Sequence, residues 1–152
     1  MFKKAIIAGD SHGVELIPIV TSIISNLGVA IEVVDCDGLD YVDVTRRAIA
    51  KAKPDEALIL ICGTGVGVSM VANKFKGVRA VLAANLETAY YSRRHEDSNC
   101  LCLASMYDDG NVKISISELR LSGILKAFFT TEFEGDRHIA RIKKYDKMGV
   151  RK

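Results

Sequence analysis

An α/β fold with a parallel sheet covered by helices on both faces is what this sequence predicts, and two observations predict it. Five short apolar runs recur along the chain without the polar alternation of a half-exposed strand, and a helical pattern separates each from the next. Continuous runs mark strands buried on both faces, and strand alternating with helix marks parallel order. The first strand falls at 4–8. The run is broken by Gly9-Asp10 and lacks a small-residue cleavage site, so it reads as a buried strand and not as a signal peptide. A helix over 14–27 follows, with Leu16, Ile19, Val20, Ile23, Ile24 and Leu27 on one face and Gly28 as its C-terminal cap. Strands at 31–34, 57–61, 78–82 and 100–103 then alternate with helices at 41–52, 67–75 and 85–95. Two more helices are expected, at 114–128 and, rich in charge, at about 136–148.

With 152 residues, 49% of them hydrophobic and 26% charged, the chain suits one domain spanning 1–152 with a real core. No apolar run reaches the roughly 20 residues that would span a bilayer. Net charge is +2, but residues 136–152 hold seven Lys or Arg against two Asp, so the rest of the chain is weakly acidic. That distribution argues against an extended nucleic-acid face and suits a phosphorylated small molecule. Cys36, Cys62, Cys100 and Cys102 form no CxxC pair and no zinc-finger spacing, which points to reduced thiols in a cytoplasmic protein.

In such sheets ligands bind beyond the carboxyl ends of the strands. The loop Cys62-Gly63-Thr64-Gly65-Val66-Gly67-Val68-Ser69 ends a strand and opens a helix, where backbone N–H groups favour an anion. Val68 stands where a dinucleotide fingerprint needs glycine, and no Gly-Lys-Ser/Thr follows for a phosphate loop. The three glycines equally suit tight strand-to-helix packing. Cys62 sits where N–H groups favour a thiolate base, and equally where a small buried residue fits. Asp10-Ser11-His12 offers polar groups but also a helix cap, and the cap is the stronger reading. Ser92-Arg93-Arg94-His95-Glu96 complements a helix C-terminus. Arg137 and Arg141, four apart, form either a fork for phosphate or a solvated face.

Together these segments resemble the ribose-5-phosphate isomerase B and galactose-6-phosphate isomerase family over nearly the whole chain. The resemblance rests on the segment from Ile59 to Ser69, on Ala72-Asn73-Lys74-Phe75-Lys76-Gly77-Val78-Arg79-Ala80, on Ser92-Arg93-Arg94-His95, and on Thr131-Glu132-Phe133-Glu134-Gly135-Asp136-Arg137-His138. It implies a Rossmann-like three-layer α/β/α sandwich with a five-stranded parallel sheet, and a dimer or tetramer whose sites are shared between subunits. The implied activity is interconversion of aldose and ketose phosphates with no metal or other cofactor. Under that resemblance Cys62 is the base that carries a proton between C1 and C2. Gly63, Gly65, Gly67 and Ser69 belong to the cradle for the enediolate, Thr64 and His95 open the sugar ring, and Arg137 and Arg141 hold the phosphate. Asp10 and Tyr41 line the sugar.

Departures fall in the substrate-reading shell. Ser11 stands where the family has histidine and the imidazole moves to His12, while Glu96 replaces an asparagine, exchanging a donor for an acceptor-only carboxylate. The segment from Ala104 to Gly110 lacks the usual arginine, and the stretch from Val34 to Asp43 is shorter than usual. The expected substrate pair is ribose 5-phosphate and ribulose 5-phosphate. A 6-carbon phosphate such as galactose 6-phosphate is the alternative, and a non-catalytic sugar-phosphate-binding subunit or a nucleotide-binding module competes with both. Ser11, His12 and Glu96 are the expected determinants of that choice.

Overall fold

The structure is a computed structural model that describes residues 1–108, 110, 111 and 113–148, with Met106, Tyr107 and Ile114 described at the backbone only. Asp109 and the terminal Arg151 and Lys152, counted above in the acidic segment and the basic tail, lie outside the described residues.

Five strands, β1 (Lys4–Gly9), β2 (Ala30–Val33), β3 (Ala57–Cys62), β4 (Ala80–Leu82) and β5 (Cys100–Ala104), form one parallel sheet in the order β2-β1-β3-β5-β4. Every residue of central β3 is buried, whereas the edge strands β2 and β4 are partly open. Because side chains alternate across a strand, the sheet feeds two cores. Ala5, Ile7, Ile59, Ile61, Leu101 and Leu103 face α1 (Ile17–Asn26), α4 (Leu86–Glu96) and α5 (Glu118–Thr130), packing on Val20, Ile24, Ala89, Ile124 and Phe128. Ile6, Ala8, Leu58, Leu60, Cys62, Cys100 and Cys102 face α2 (Tyr41–Lys51) and α3 (Val66–Ala72), packing on Val44, Ala48, Val68 and Ala72. The three-layer sandwich expected from the sequence is present, and Cys36, Cys100 and Cys102 are buried free thiols. No helix among the described residues is long and apolar enough to cross a membrane.

Three elements differ from expectation for local reasons. The first helix opens as a 3-10 turn over Val14–Leu16, because Pro18 has no N–H to offer the carbonyl of Val14, which takes the N–H of Ile17 instead. The strand expected from 78 is cut to Ala80–Leu82, since the N–H of Arg79 is taken by the side chain of Asn99 at 2.8 Å. The helix expected from 114 starts at Glu118, where Ser117 caps it by accepting from the N–H of Arg120. The residues before it, Lys113–Ser115 (β7), pair antiparallel with Met106–Asp108 (β6) in a hairpin outside the main sheet. The last helix, α6, covers Arg137–Tyr145.

At the sheet's amino edge Glu32 of β2 accepts from Lys4 of β1 at 2.7 Å and from Lys51 of α2 at 2.6 Å. These two ammonium groups hold the Glu32 carboxyl down from 4.5 to about 2. A carboxyl lowered by folding adds stability above its unfolded pKa and loses it as pH falls towards the folded one. Wild-type stability should therefore decline between pH 4.5 and about 2, and Glu32→Gln should flatten that decline. Urea titrations across this range test it; equal slopes in the two proteins would show that the bridge does not survive in solution.

Candidate active site

The carboxyl edge of the sheet gathers one group of the expected residues. Asp10, which leaves β1, accepts from the backbone N–H groups of His12 (3.0 Å) and Gly13 (2.9 Å), so the aspartate closes a turn in its own loop; the helix cap expected here is not made, because Gly13 stands at the N-cap of the following turn without a side-chain bond. Ser11 and His12 are exposed, with Ser11 Oγ 3.5 Å from His12 Nδ1. Cys62 ends β3, and its Sγ, 5% exposed with the rest of the residue, accepts from the N–H of Gly65 at 3.2 Å. Thr64 Oγ1 accepts from the N–H of Val66 at 3.2 Å, which leaves its hydroxyl proton available to donate. Ser69 donates its hydroxyl to the carbonyl of Val66, inside its own helix.

The glycine spacing in this loop has steric reasons. Gly65 has φ +72°, and a Cβ there would stand 2.5 Å from Leu82 Cδ1 and 2.9 Å from the carbonyl carbon of Leu103. Gly63 is buried beside it. At Gly67 a Cβ would meet the Tyr41 ring at 2.8 Å, so Tyr41, held at the start of α2 by the Asp40 cap, lies flat over the start of α3. The packing reading of the glycines therefore holds, and the same tight packing shapes the loop around the thiol.

A second group lies at the opposite edge. Leu58 pairs with Cys100 and Cys62 with Ala104, so β5 begins four residues from the level of Cys62, about 13 Å along a strand. Helix α4 runs back to that beginning and places His95 in its last turn. The His95 ring stacks on that of His138 from α6, with centroids 4.3 Å apart and planes within 7°. Glu134 stands between them, Oε2 4.0 Å from His95 Nε2 and Oε1 3.8 Å from His138 Nε2, and it is held by Arg94 Nε at 2.9 Å. Arg137 donates from Nε to His138 Nε2 at 3.4 Å, and Arg141 follows one turn later, also exposed. His138 is 2% exposed, and burial pushes its imidazole below the usual range, helped by His95 and Arg137 and opposed by Glu134. His95, Glu134 and His138 bring three ligand-type atoms within 4.8 Å. Parallel rings, however, send their in-plane lone pairs side by side, which does not converge on one cation.

One chain thus separates residues that the resemblance pairs. Thr64 and His95, the expected ring-opening pair, lie at opposite edges, and so do Cys62 and the two arginines. Glu96 is next to His95 in sequence, yet its carboxylate turns towards Tyr145, 3.5 Å from the hydroxyl, in a groove of about 1320 Å³ beside edge strand β4. Burial first, then Glu96, pushes the Tyr145 hydroxyl up to about 12. Sequence reading did not single out Glu134 or His138 as site residues. Their spacing of four was the available signal, but it acquires meaning only when α4 delivers His95 onto the His138 ring and in front of Glu134.

The model of the Ribose/Galactose Isomerase family matches residues 5–145. A probable ribose-5-phosphate isomerase B of Mycoplasma pneumoniae is 40% identical over 107 residues, a stretch that is 69% of this chain and 63% of that one. Among solved structures, ribose 5-phosphate isomerase B from Anaplasma phagocytophilum superposes with a TM-score of 0.83 at 33% identity, covering 94% of this chain and 96% of that one. The Mycoplasma genitalium ribose-5-phosphate isomerase B with bound ribulose-5-phosphate gives 0.79 at 32% identity, covering 95% and 94%.

The loop geometry makes a stability prediction. Gly65→Ala should cost at least about 2 kcal/mol, from a left-handed backbone for an L side chain and from overpacking. Gly67→Ala meets only a half-exposed ring that can swing aside, and should cost about 1 kcal/mol or less. Denaturant unfolding of both proteins provides the measurement, and equal losses would mean that the loop relaxes around either methyl group.

Proposed function

This chain belongs to the ribose/galactose isomerase family, and we propose that it interconverts an aldose phosphate and a ketose phosphate, with ribose 5-phosphate and ribulose 5-phosphate as the pair. The observation that carries the reading is the seat of Cys62: a thiol at the carboxyl end of the central strand, fixed by the N–H of Gly65 in the glycine loop that follows it. The bound ribulose-5-phosphate of the M. genitalium relative supports the choice of sugar.

Substrate and product are isomers, so the step balances within the sugar and calls for no oxidant, reductant or cofactor. Cys62, as thiolate, removes the proton from C2. The C2–H electron pair becomes the C1=C2 bond of an enediolate, and negative charge moves onto O1. Return of the proton to C1, with transfer of the hydroxyl proton from O2 to O1, leaves a carbonyl at C2. Carbon acids are weak, so the reaction needs a positioned base and donors aimed at the developing oxyanion. In this reading the Thr64 hydroxyl and the first-turn N–H of Gly67, which has no carbonyl four residues earlier within the helix, supply them.

A second copy of the chain supplies the remaining groups in this reading. His95, Arg137 and Arg141 of one copy complete the Cys62 end of another, with Asp10, His12 and Tyr41 around the sugar and the arginine fork on its phosphate. Val66 and Met70, 45% and 63% exposed one turn apart on α3, together with the half-exposed Tyr41 ring, offer apolar surface beside the thiol for that contact.

Replacement of Cys62 by Ala should lower kcat by at least about 100-fold with little change in KM, as expected for a lost base. Retention of more than about a third of the turnover would make the thiol structural. Arg137→Ala or Arg141→Ala should chiefly raise KM, each lost contact costing roughly 1.5–3 kcal/mol. Mixing Cys62→Ala with Arg137→Ala protein tests the shared site. Exchanged dimers would hold one site with both lesions and one with neither, so activity should return. Exchange shown by native mass spectrometry without recovery would place the whole site within one chain.

A further inference from the structure

We propose that Glu134 is the positioning residue for the ring-opening imidazole: anchored by Arg94, its carboxylate faces Nε2 of His95 and keeps the proton on that nitrogen, so that the Nδ1 lone pair is the one presented to the sugar. The inference rests on the proposed isomerase reading for the role of His95, and on the geometry for everything else.

Glu134 is docked to the last turn of α4 at two points. Its own N–H donates to the carbonyl of Arg94 at 2.9 Å, and its Oε2 takes the Arg94 Nε at 2.9 Å. With backbone and side chain both tied to the residue before His95, the carboxylate has little freedom to leave the imidazole, and Oε2 lies 4.0 Å from His95 Nε2. A carboxylate facing one ring nitrogen selects the tautomer that carries its proton there. The turn itself is under strain: Asp136 has φ +44° and ψ −126°, a region that L residues rarely occupy, directly between Glu134 and α6. Strain of this kind persists where surrounding contacts over-determine the backbone.

The neighbours of His95 make the carboxylate necessary. On α4 they are Arg94 and the Tyr91 ring at 5.1 Å, with Glu96 turned to Tyr145. On α6 they are Arg137, Arg141 and the stacked ring of His138. His138 Nε2 also faces Glu134, with Oε1 at 3.8 Å, but there the Nε–H of Arg137 points at the ring nitrogen from 3.4 Å and takes its lone pair, so in the neutral form the His138 proton is on Nδ1 and the ring acts as an uncharged platform. An imidazole that must briefly hold an extra proton thus follows Arg94 in the chain and stacks on a ring bonded to Arg137, and Glu134 is the carboxylate that faces it, at 4.0 Å.

Ring opening then balances as follows. The Nδ1 of His95 takes the proton of the anomeric hydroxyl, C1=O1 forms as the bond from C1 to the ring oxygen breaks, and the same proton passes from Nδ1 to that oxygen. The transient imidazolium has its Nε2–H directed at Glu134. No group outside the sugar and the imidazole is consumed.

Nitrogen-15 NMR of the histidines in the unliganded protein reads the tautomer directly. His95 should carry its proton on Nε2 in the wild type and become a mixture in Glu134→Ala. Glu134→Gln, which keeps an acceptor oxygen, should restore much of the wild-type ratio. Arg94→Ala, which removes only the anchor, should shift the ratio part of the way and guards against a folding defect in the Glu134 variants. In kinetics, Glu134→Ala should lower conversion of ribulose 5-phosphate to the cyclic aldose by at least about tenfold. Exchange of the C1 hydrogens of ribulose 5-phosphate with solvent should fall by less than about threefold, because that sugar is already open. A His95 tautomer that is Nδ1–H, or that does not respond to Glu134→Ala, overturns the proposal, as does an equal fall in exchange and conversion. A wild-type protein that turns over no sugar phosphate, yet shows the tautomer shift, would remove the isomerase reading and leave the positioning role standing.

Discussion

The parallel register of β3 with β1 and β5 puts the carboxyl ends of all three strands on one edge, and every helix that returns the chain to start a new strand must end on the other edge. Chemistry carried by strand ends and chemistry carried by helix ends are thereby held a sheet's width apart. Cys62, Thr64 and Asp10 belong to the first kind, His95 to the second, and α6 joins it because α5 also finishes at the amino edge. That edge is marked by Phe2 before β1, whose ring stacks on Phe128 near the end of α5 at 5.9 Å. No movement of a loop closes this gap within one chain without dismantling the sheet.

The amino edge is rigid for a reason that has little to do with apolar burial alone. Arg93, 6% exposed, lays its guanidinium 4.6 Å from the centre of the Phe2 ring and 5.8 Å from that of Phe128. The same group donates to Asp97 at 2.9 Å and to the carbonyl of Ser98. Burial pushes its pKa down, and the Asp97 charge opposes that shift. Asp97 itself sits at φ +46° and also binds Arg79, so the end of α4 is clamped to β1, to α5 and to the turn before β5. Adjacent residues on this fixed turn, Arg94 and His95, can then be presented outward with little freedom. The buried arginine thus serves the geometry of its neighbours, a role in which replacement by an apolar residue would lose direction more than stability.

The sheet was legible in the sequence because two-sided burial leaves a signature that needs no partner to interpret. Residues 57–62 are apolar throughout since both layers cover them, and Gly28 at φ +76° closes its helix as a C-terminal glycine should. The β6–β7 hairpin was not legible, because strands of three residues carry too little pattern: the alternation of Ile114 and Ile116 is strand-like but too short to stand apart from the helical spacing that begins after Ser117. The Cys62 loop was legible as a glycine-rich turn from strand to helix, while the cause of its glycine at 65, the contact with Leu82 and Leu103, lies in residues far away in sequence. Glu134 and His138 stayed hidden for the same reason: their partner His95 is some forty residues distant and arrives only through the helix packing.

Glu96 shows why adjacency in sequence misleads at a helix end. Successive helical residues point about 100° apart, so when His95 faces α6 through His138, the next side chain must face elsewhere. It faces the groove beside β4, against Tyr145 and near Arg79 and Asp146. In one chain, then, the carboxylate at 96 bears on how α6 is docked against α4. Arg137 and Arg141 ride on the same helix as Tyr145. A substitution at 96 that shifts α6 would move Arg137 and Arg141 as a unit while leaving the Cys62 loop untouched. Under the proposed isomerase reading such a shift would produce discrimination by the length of the sugar, because the distance between the thiol and the arginines is the dimension a longer substrate would have to match.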